Sequence, residues 1–395
     1  MDLHTTVTDD VDGRRDDLLA LSHAIHGDAE VAFEEHTSSA RVAAALDAGG
    51  FDVTHGACGL DTAVLARAGS GDLHVGICAE YDALPGIGHA CGHNVIASAA
   101  VGAGLALARV ADELDLTVHV LGTPAEEGGG GKILMLERGG FDGLHAAMMV
   151  HPAPYDAPRM PCLAVKHLRV RYHGRSAHAS AFPHQGINAA DGLTIAQVGI
   201  GLLRQHIRST DRIHGIVTDG GDAPNIVPEH AAGHWYVRSS TLAELADLYP
   251  RVERCFEAGA VATGAEVSYE EPGPAYSEFR SDAELEGIWV GHAGEVGRSM
   301  PTELEPLAGS TDMANVSLVL PTIHPLLHVE THGAVNHQPE FAAACVTPSA
   351  DLAVRDGAVT LARTVVTAAT NPAVRARLTS HTHRAMRNPS DPPST

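Results

Sequence analysis

Three stretches of the chain are apolar almost without interruption and end abruptly in polar loops. His74–Ala79 (HVGICA) runs into EYDALPG, Leu116–Gly122 (LTVHVLG) into TPAEEGGGG, and Ala146–Val150 (AAMMV) into HPAP. Short continuous apolar runs of this kind mark strands buried on both faces. The segments between them, IASAAVGAGLALARVADEL and KILMLERGGF, read as helices. Upstream, Asp16–Gly49 adds helical signals in LLALSHAI and SSARVAAALDAGG, the second closed by glycine. Alternating strands and helices predict an α/β domain with a mixed, largely parallel sheet and helices on both faces.

From Leu163 the rhythm changes. Leu163–Tyr172 alternates like a strand, Ile187–Leu203 is helical, Ile213–Thr218 and Ala231–Val237 are strands, Leu242–Gly264 is helical and Glu266–Glu270 is a short strand. That β-α-β-β-α-β order is the ferredoxin-like split α+β unit. Residues 163–275 are therefore expected to form a second domain, inserted into a first domain made of 1–162 and 276–395. The chain ends in a polar tail with Pro and Ser, expected to fray.

Composition narrows the function classes. The 395 residues are 44% apolar and carry a formal net charge of −23, which argues against nucleic acid or an anionic membrane as partner. The longest apolar run, Val95–Ala108, is short for a membrane span and reads as a buried helix. The start of the chain, MDLHTTVTDDVDGRRDD, has no apolar core of a signal peptide, so none is expected. Six scattered cysteines without a CxxC pair fit a reducing cytoplasm better than a disulfide framework. With 26 histidines in the chain, a lone His carries little weight and only one placed beside other ligands counts.

The polar groups follow the three buried strands, and in an open α/β sheet the carboxyl ends of strands converge on the site crevice. Glu80 and Asp82, Cys91 and His93, Glu126 and Glu127, and His151 can therefore face one cleft. In HACGHN, Cys91 and His93 read equally as metal ligands or as a buried thiol with a satisfied imidazole, Gly92 allowing a tight turn between them. A nucleophilic thiol is disfavoured, because acidic neighbours raise its pKa, whereas a cation would deprotonate it. In PAEEGGGGK, one carboxylate can bind metal and the other take a proton from the attacking water, or both can decorate a helix start. Together with His151 in MVHPAP and His337 in NHQPEF, the residues Cys91, His93 and Glu127 make five ligands. That is enough for two ions about 3.5–4 Å apart. In the insertion, Asn225 (APNIVP) and Arg238 (WYVRSS) can clamp a substrate carboxylate, and His178 (GRSAHAS) can polarise a carbonyl. Surface hydrogen bonding is the plainer reading of all three.

The ordered set EYDALPG, HACGHN, GTPAEEGGGG, VHPAP, GRSAHAS, APNIVP, GSTDMA and NHQPEF resembles the aminoacylase and carboxypeptidase-G type of metal-dependent amidohydrolases, peptidase family M20, from about Asp16 to Asp351. The resemblance implies a catalytic domain with two divalent metal ions and an inserted lid that dimerises. It implies metal ligands at Cys91, His93, Glu127, His151 and His337, the pattern of the cysteine-containing branch, and a general base at Glu126. It implies that His178 reaches the active site of the partner in a homodimer, and that Asn225 and Arg238 hold the substrate carboxylate. Asp312 of GSTDMA falls in a motif on the substrate side. Many relatives have a metal-binding His where this chain has Glu80; Glu80 is then a further candidate ligand, and Asp82 a partner that orients His93.

The implied reaction is hydrolysis of the amide bond of a small N-acyl amino acid, dipeptide or aminobenzoyl-glutamate-like substrate with a free carboxylate. Two alternatives use the same scaffold: a hydrolytic deaminase of an aromatic or heterocyclic amine, and a non-catalytic binding protein. Thiolate and imidazole favour zinc, carboxylates admit manganese, and cobalt or nickel would also fit.

Overall fold

The computed structural model describes residues 2–301 and 309–380. The tail expected to fray begins at 381 and lies outside the described residues. The chain divides into two compact units, Met1–Pro161 with Phe279–Thr395, and Cys162–Glu278. The patterning sets the insertion at 163–275. The compact unit reaches further because Tyr276 exchanges both backbone hydrogen bonds with Val165, each 3.0 Å.

The first segment of the chain supplies strands β1 (Asp52–His55), β2 (Val64–Gly69), β3 (Leu73–Glu80), β4 (Leu116–Thr123), β5 (Ala146–Met148) and β6 (His151–Ala153). The insertion supplies β7 (Ala164–His173), β8 (Arg212–Asp219), β9 (His230–Ser239) and β10 (Glu266–Glu270), and the returning chain supplies β11 (Thr322–Ile323) and β12 (Leu326–His328).

In the first unit the sheet order is β1-β2-β4-β3-β5-β11. β3, β4, β5 and β11 run parallel, while β1 and β2 close one edge antiparallel. The uninterrupted apolar runs have a direct cause. Leu73, Val75, Ile77 and Ala79 of β3 enter one core, beneath the helices Arg15–Asp28, His93–Ala108 and Pro348–Thr370. Cys78 of β3 and Leu121 of β4 enter the opposite core with Met135, Phe141, Met313 and Val316. The helix His93–Ala108 is buried along its length except at its last residue and lies close on β4. A Cβ at Gly104 would stand 2.3 Å from Val120 Cγ2.

Three features depart from the sequence reading. A first helix, Leu3–Gly13, is capped by Asp2, which accepts from the Thr5 N–H; its mostly polar sequence hides the two buried residues Val7 and Val11. The hairpin β1–β2 also escapes the pattern, β1 being mostly exposed. The expected strand 146–150 stops at Met148, and His151 does not sit in a loop. It opens β6, which pairs in parallel with β12 in a separate two-stranded sheet, the His151 N–H donating to Pro325 O.

In the insertion, β10-β7-β9-β8 form an antiparallel sheet, the ferredoxin-like order. The helices Ala189–Leu203 and Leu242–Thr263 cover one face over Leu168, Val170, Tyr172 and Trp235, the second helix burying Phe256 against them. The other face carries His167, Arg169, Arg171 and His173 of β7 against Tyr236, His234, Ala232 and His230 of β9. Among the described residues no helix is long and apolar enough to cross a membrane.

Candidate metal centre

The cluster forms where three buried strands give way to loops. β3 ends on Glu80, and Asp82 follows it, buried. After β4 the chain turns at Ala125, whose φ of 56° is unusual for a residue with a side chain. The turn is pinned by Glu35, buried at 0% exposure, which accepts from the Ala125 N–H at 2.9 Å and from the Thr62 hydroxyl at 2.8 Å. Glu126 and Glu127 come directly after that pin.

Gly92 sets the second loop. Its φ of 75° and the absence of a side chain let it cap the helix His93–Ala108 while a Cβ there would meet Pro152 Cγ at 2.4 Å. Cys91 and His93 flank it. His93 is fully buried; its Nδ1 lies 2.9 Å from Asp82 Oδ1, and Asp82 Oδ2 accepts from the Glu127 N–H at 2.9 Å. One carboxylate thus holds both the imidazole and the glutamate loop. His337, on the returning chain, has a φ of 69° and donates its N–H to Ala90 O at 2.8 Å.

The candidate donor atoms converge. Cys91 Sγ lies 3.7 Å from His151 Nε2 and 3.5 Å from His337 Nε2. His93 Nε2 lies 3.8 Å from Glu126 Oε2 and 3.9 Å from Glu127 Oε1, and Glu127 Oε2 lies 3.5 Å from His337 Nε2. Three overlapping sets keep their donor atoms within 4.8 Å of one another: Cys91, His93 and His151; Cys91, Glu127 and His337; His93, Glu126 and Glu127. The donor chemistry fits divalent metal. His93 Nε2 and Glu127 Oε1 are buried without a hydrogen-bond partner among the described residues, and both face this cluster. A buried polar atom of this kind costs stability unless something satisfies it.

The electrostatics agree. Burial and the Glu127 carboxylate push the Cys91 thiol well above its usual range. Burial disfavours a charged His93, yet Asp82 outweighs it and holds the imidazole well above its ordinary value. Burial and the adjacent Glu127 raise Glu126. Negative charge is crowded here in a way that a cation relieves.

Two residues that sequence reasoning passed over complete the surroundings. Lys132 is fully buried, its Nζ 2.5 Å from Glu80 Oε1 and 2.6 Å from Asp312 Oδ1, while its N–H donates to Asp312 Oδ2 at 2.8 Å. Its ammonium is held above its usual value by the two carboxylates in spite of burial. Glu80 thereby turns one oxygen to Lys132 and the other toward His93 Nε2, at 3.4 Å. The signal was the lysine that follows EEGGGG at the start of a helix. Glu35 left no comparable signal.

His178, Asn225 and Arg238 belong to the insertion. His178 and Asn225 lie on two loops that pair with each other, Ala179 N–H donating to Asn225 O at 3.0 Å and Val227 N–H to Ala177 O at 2.9 Å. The His178 side chain is exposed and its Nδ1 accepts from the Ser180 and Ala181 N–H groups, each 3.3 Å. These loops adjoin the His230 end of β9. Arg238 sits near the other end, eight residues on, about 26 Å away along an extended strand. One insertion therefore does not bring all three together.

Comparison with known proteins places this architecture. The model described as peptidase family M20/M25/M40 matches residues 76–355. The chain is 36% identical to the Xaa-Arg dipeptidase of Mus musculus, covering 92% of this chain and 88% of that protein. It is 30% identical to one of the subunits of p-aminobenzoyl-glutamate hydrolase from Escherichia coli, covering 67% of this chain and 60% of that protein. Its fold matches the crystal structure of a dinuclear metal-binding peptidase of family M20 from Bacillus subtilis, with a TM-score of 0.67 at 20% identity over 90% of this chain and 99% of that one.

Proposed function

This chain belongs to peptidase family M20/M25/M40, and from that premise we propose that it hydrolyses the amide bond of a small N-acyl amino acid, dipeptide or aminobenzoyl-glutamate-like substrate with a free carboxylate. In this reading Cys91, His93, Glu127, His151 and His337 would hold two divalent metal ions, Cys91 belonging both to the set with His93 and His151 and to the set with Glu127 and His337. The observation that carries it is that His93 Nε2 and Glu127 Oε1 are buried without a hydrogen-bond partner among the described residues, inside a cluster of thiol, imidazole and carboxylate. Bound metal supplies Lewis-acid polarisation of the scissile carbonyl and an acidified water at neutral pH.

The protein does the rest. Glu126, buried and with its carboxyl raised, takes a proton from the attacking water and returns it to the leaving amine. Asp82 fixes the imidazole orientation of His93 and the Glu127 backbone, so the two sets of donors keep their spacing. His178 steadies the carbonyl oxygen, and Asn225 and Arg238 receive the substrate carboxylate. The distance along β9 supports a homodimer, in which Arg238 of one chain works with His178 and Asn225 of the partner. Thiolate and imidazole favour zinc, and the Glu127 carboxylate admits manganese, with cobalt or nickel next. Six free cysteines support a cytoplasmic setting.

The test is metal content per chain by elemental mass spectrometry on protein purified without chelator, beside Cys91→Ala and Glu126→Gln. We expect close to two metals in the parent, fewer in Cys91→Ala, and an unchanged content in Glu126→Gln with turnover on dipeptides reduced by about 10²–10⁴. The relative at 36% identity makes dipeptides ending in arginine the first panel. Near-normal turnover by Glu126→Gln with both metals bound would end the mechanism.

A further inference from the structure

The insertion carries its own cluster of ligating side chains, which hydrolysis does not use. His173 ends β7 and His230 opens β9, and the two are register partners on the face opposite the helices. Their rings are tilted, centroids 4.9 Å apart, and the two Nδ1 atoms face each other at 3.2 Å. Glu229, next in chain to His230, brings a carboxylate oxygen so that all three donor atoms lie within 4.8 Å of one another. The Gly174 N–H donates to Glu229 O at 2.7 Å, which fixes that residue beside the pair.

Two nitrogens bound to one tetrahedral zinc at about 2.0–2.1 Å are separated by about 3.3–3.4 Å. The Nδ1 pair already stands close to that spacing, on adjacent strands of a rigid sheet, so little reorganisation opposes binding. A proton shared between the rings would satisfy the nitrogens alone; it gives no role to the carboxylate beside them. The pair His74 and His119, with ring nitrogens 3.1 Å apart, shows the difference, since it belongs to no three-donor set among the described residues.

We propose that His173, Glu229 and His230 bind one divalent transition-metal ion of the zinc class, in addition to the ions held by the first unit. Two imidazoles and one carboxylate suit zinc, nickel or copper, with a remaining position for water. The ion ties β7 to β9 where both loops leave the sheet, the one after His173 carrying His178 and the one before Glu229 carrying Asn225. It therefore braces the paired loops. The value of that bracing to substrate binding rests on the roles proposed above for His178 and Asn225, whereas the site itself does not.

The experiment is zinc uptake by the full-length holoenzyme at equilibrium dialysis, read as ions per chain. We expect one further equivalent in the parent that is lost in His173→Ala and in His230→Ala, weakened in Glu229→Gln, and kept in His74→Ala. Cys91→Ala should lose catalytic metal and still take up this equivalent, which separates failure of one site from failure of the other. Equal uptake by the parent, His173→Ala and His230→Ala would overturn the site. Hydrogen exchange read on the same samples should slow in residues 174–180 and 225–229 when zinc is added to the parent and not to His230→Ala. Equal exchange in both would overturn the bracing.

Discussion

Asp82 touches two chain segments at once, and that sets what its loss does. Its Oδ1 faces His93 Nδ1 and its Oδ2 receives the Glu127 N–H. Asp82→Asn keeps the size and removes the charge that holds the imidazole, so metal affinity should fall by about 10–100-fold. Competition with a chelator of known affinity checks this, and unchanged affinity would make Asp82 a packing residue only. Lys132 offers the contrasting case. Its ammonium is sealed between Glu80 and Asp312, and removing one partner of a buried pair leaves uncompensated charge. Lys132→Met should lower unfolding stability by about 3–5 kcal/mol in urea titration, and a loss below about 1 kcal/mol would show that the carboxylates find a proton instead.

At the scale of elements, the glycines of the buried helix carry a geometric demand. Gly104 lets the helix His93–Ala108 lie against Val120, and a Cβ would intrude to 2.3 Å. Gly104→Val should cost about 1–3 kcal/mol or more in denaturant unfolding, by overpacking between helix and sheet. The same scale explains what could be read in advance. Strands β3 and β4 announced themselves because both their faces are buried, and their polar ends announced Glu80, Asp82, Glu126 and Glu127. Residues whose partners are remote in the chain did not. Lys132 meets Asp312 across 180 residues and Glu35 meets Ala125 across 90, and neither pairing leaves a local pattern. β6 was misread because HPAP looks like a turn, while its pairing with β12 depends on residues far downstream. That Asn225 precedes β9 while Arg238 lies near its far end is a matter of strand length, which motif spelling does not carry.

For the molecule as a whole, two shielded neutral histidines contribute to the response to acid. His89 is buried, with Nε2 3.0 Å from Ile25 O, and burial lowers its pKa from 6.5 to about 3. Burial and the neighbouring His74 lower His119 from 6.5 to about 4. Both folded values lie below the unfolded one, so the unfolded chain binds more protons as the solution is acidified. Their contribution to stability is complete above pH 6.5 and is lost as pH falls through about 4 and then about 3. The acid-dependent fall of the urea midpoint between about pH 7 and about pH 4 should therefore shrink in His89→Gln and His119→Gln relative to the parent at a fixed metal concentration, and an equal fall in all three would contradict this contribution.

The first unit is written in two pieces of chain, and this has a consequence on the ribosome. β5 emerges early, but β11, which covers its outer edge, is not made until the insertion is complete. From Met148 to Thr322 is 174 residues of synthesis, about 9–35 s at typical elongation rates. For that interval the nascent sheet presents an unpaired parallel edge, the kind that recruits other chains. The insertion, with its own core, is free to fold meanwhile. His337 arrives later still, so the cluster gains its last donor only after the insertion has been made, and no earlier intermediate holds the full set.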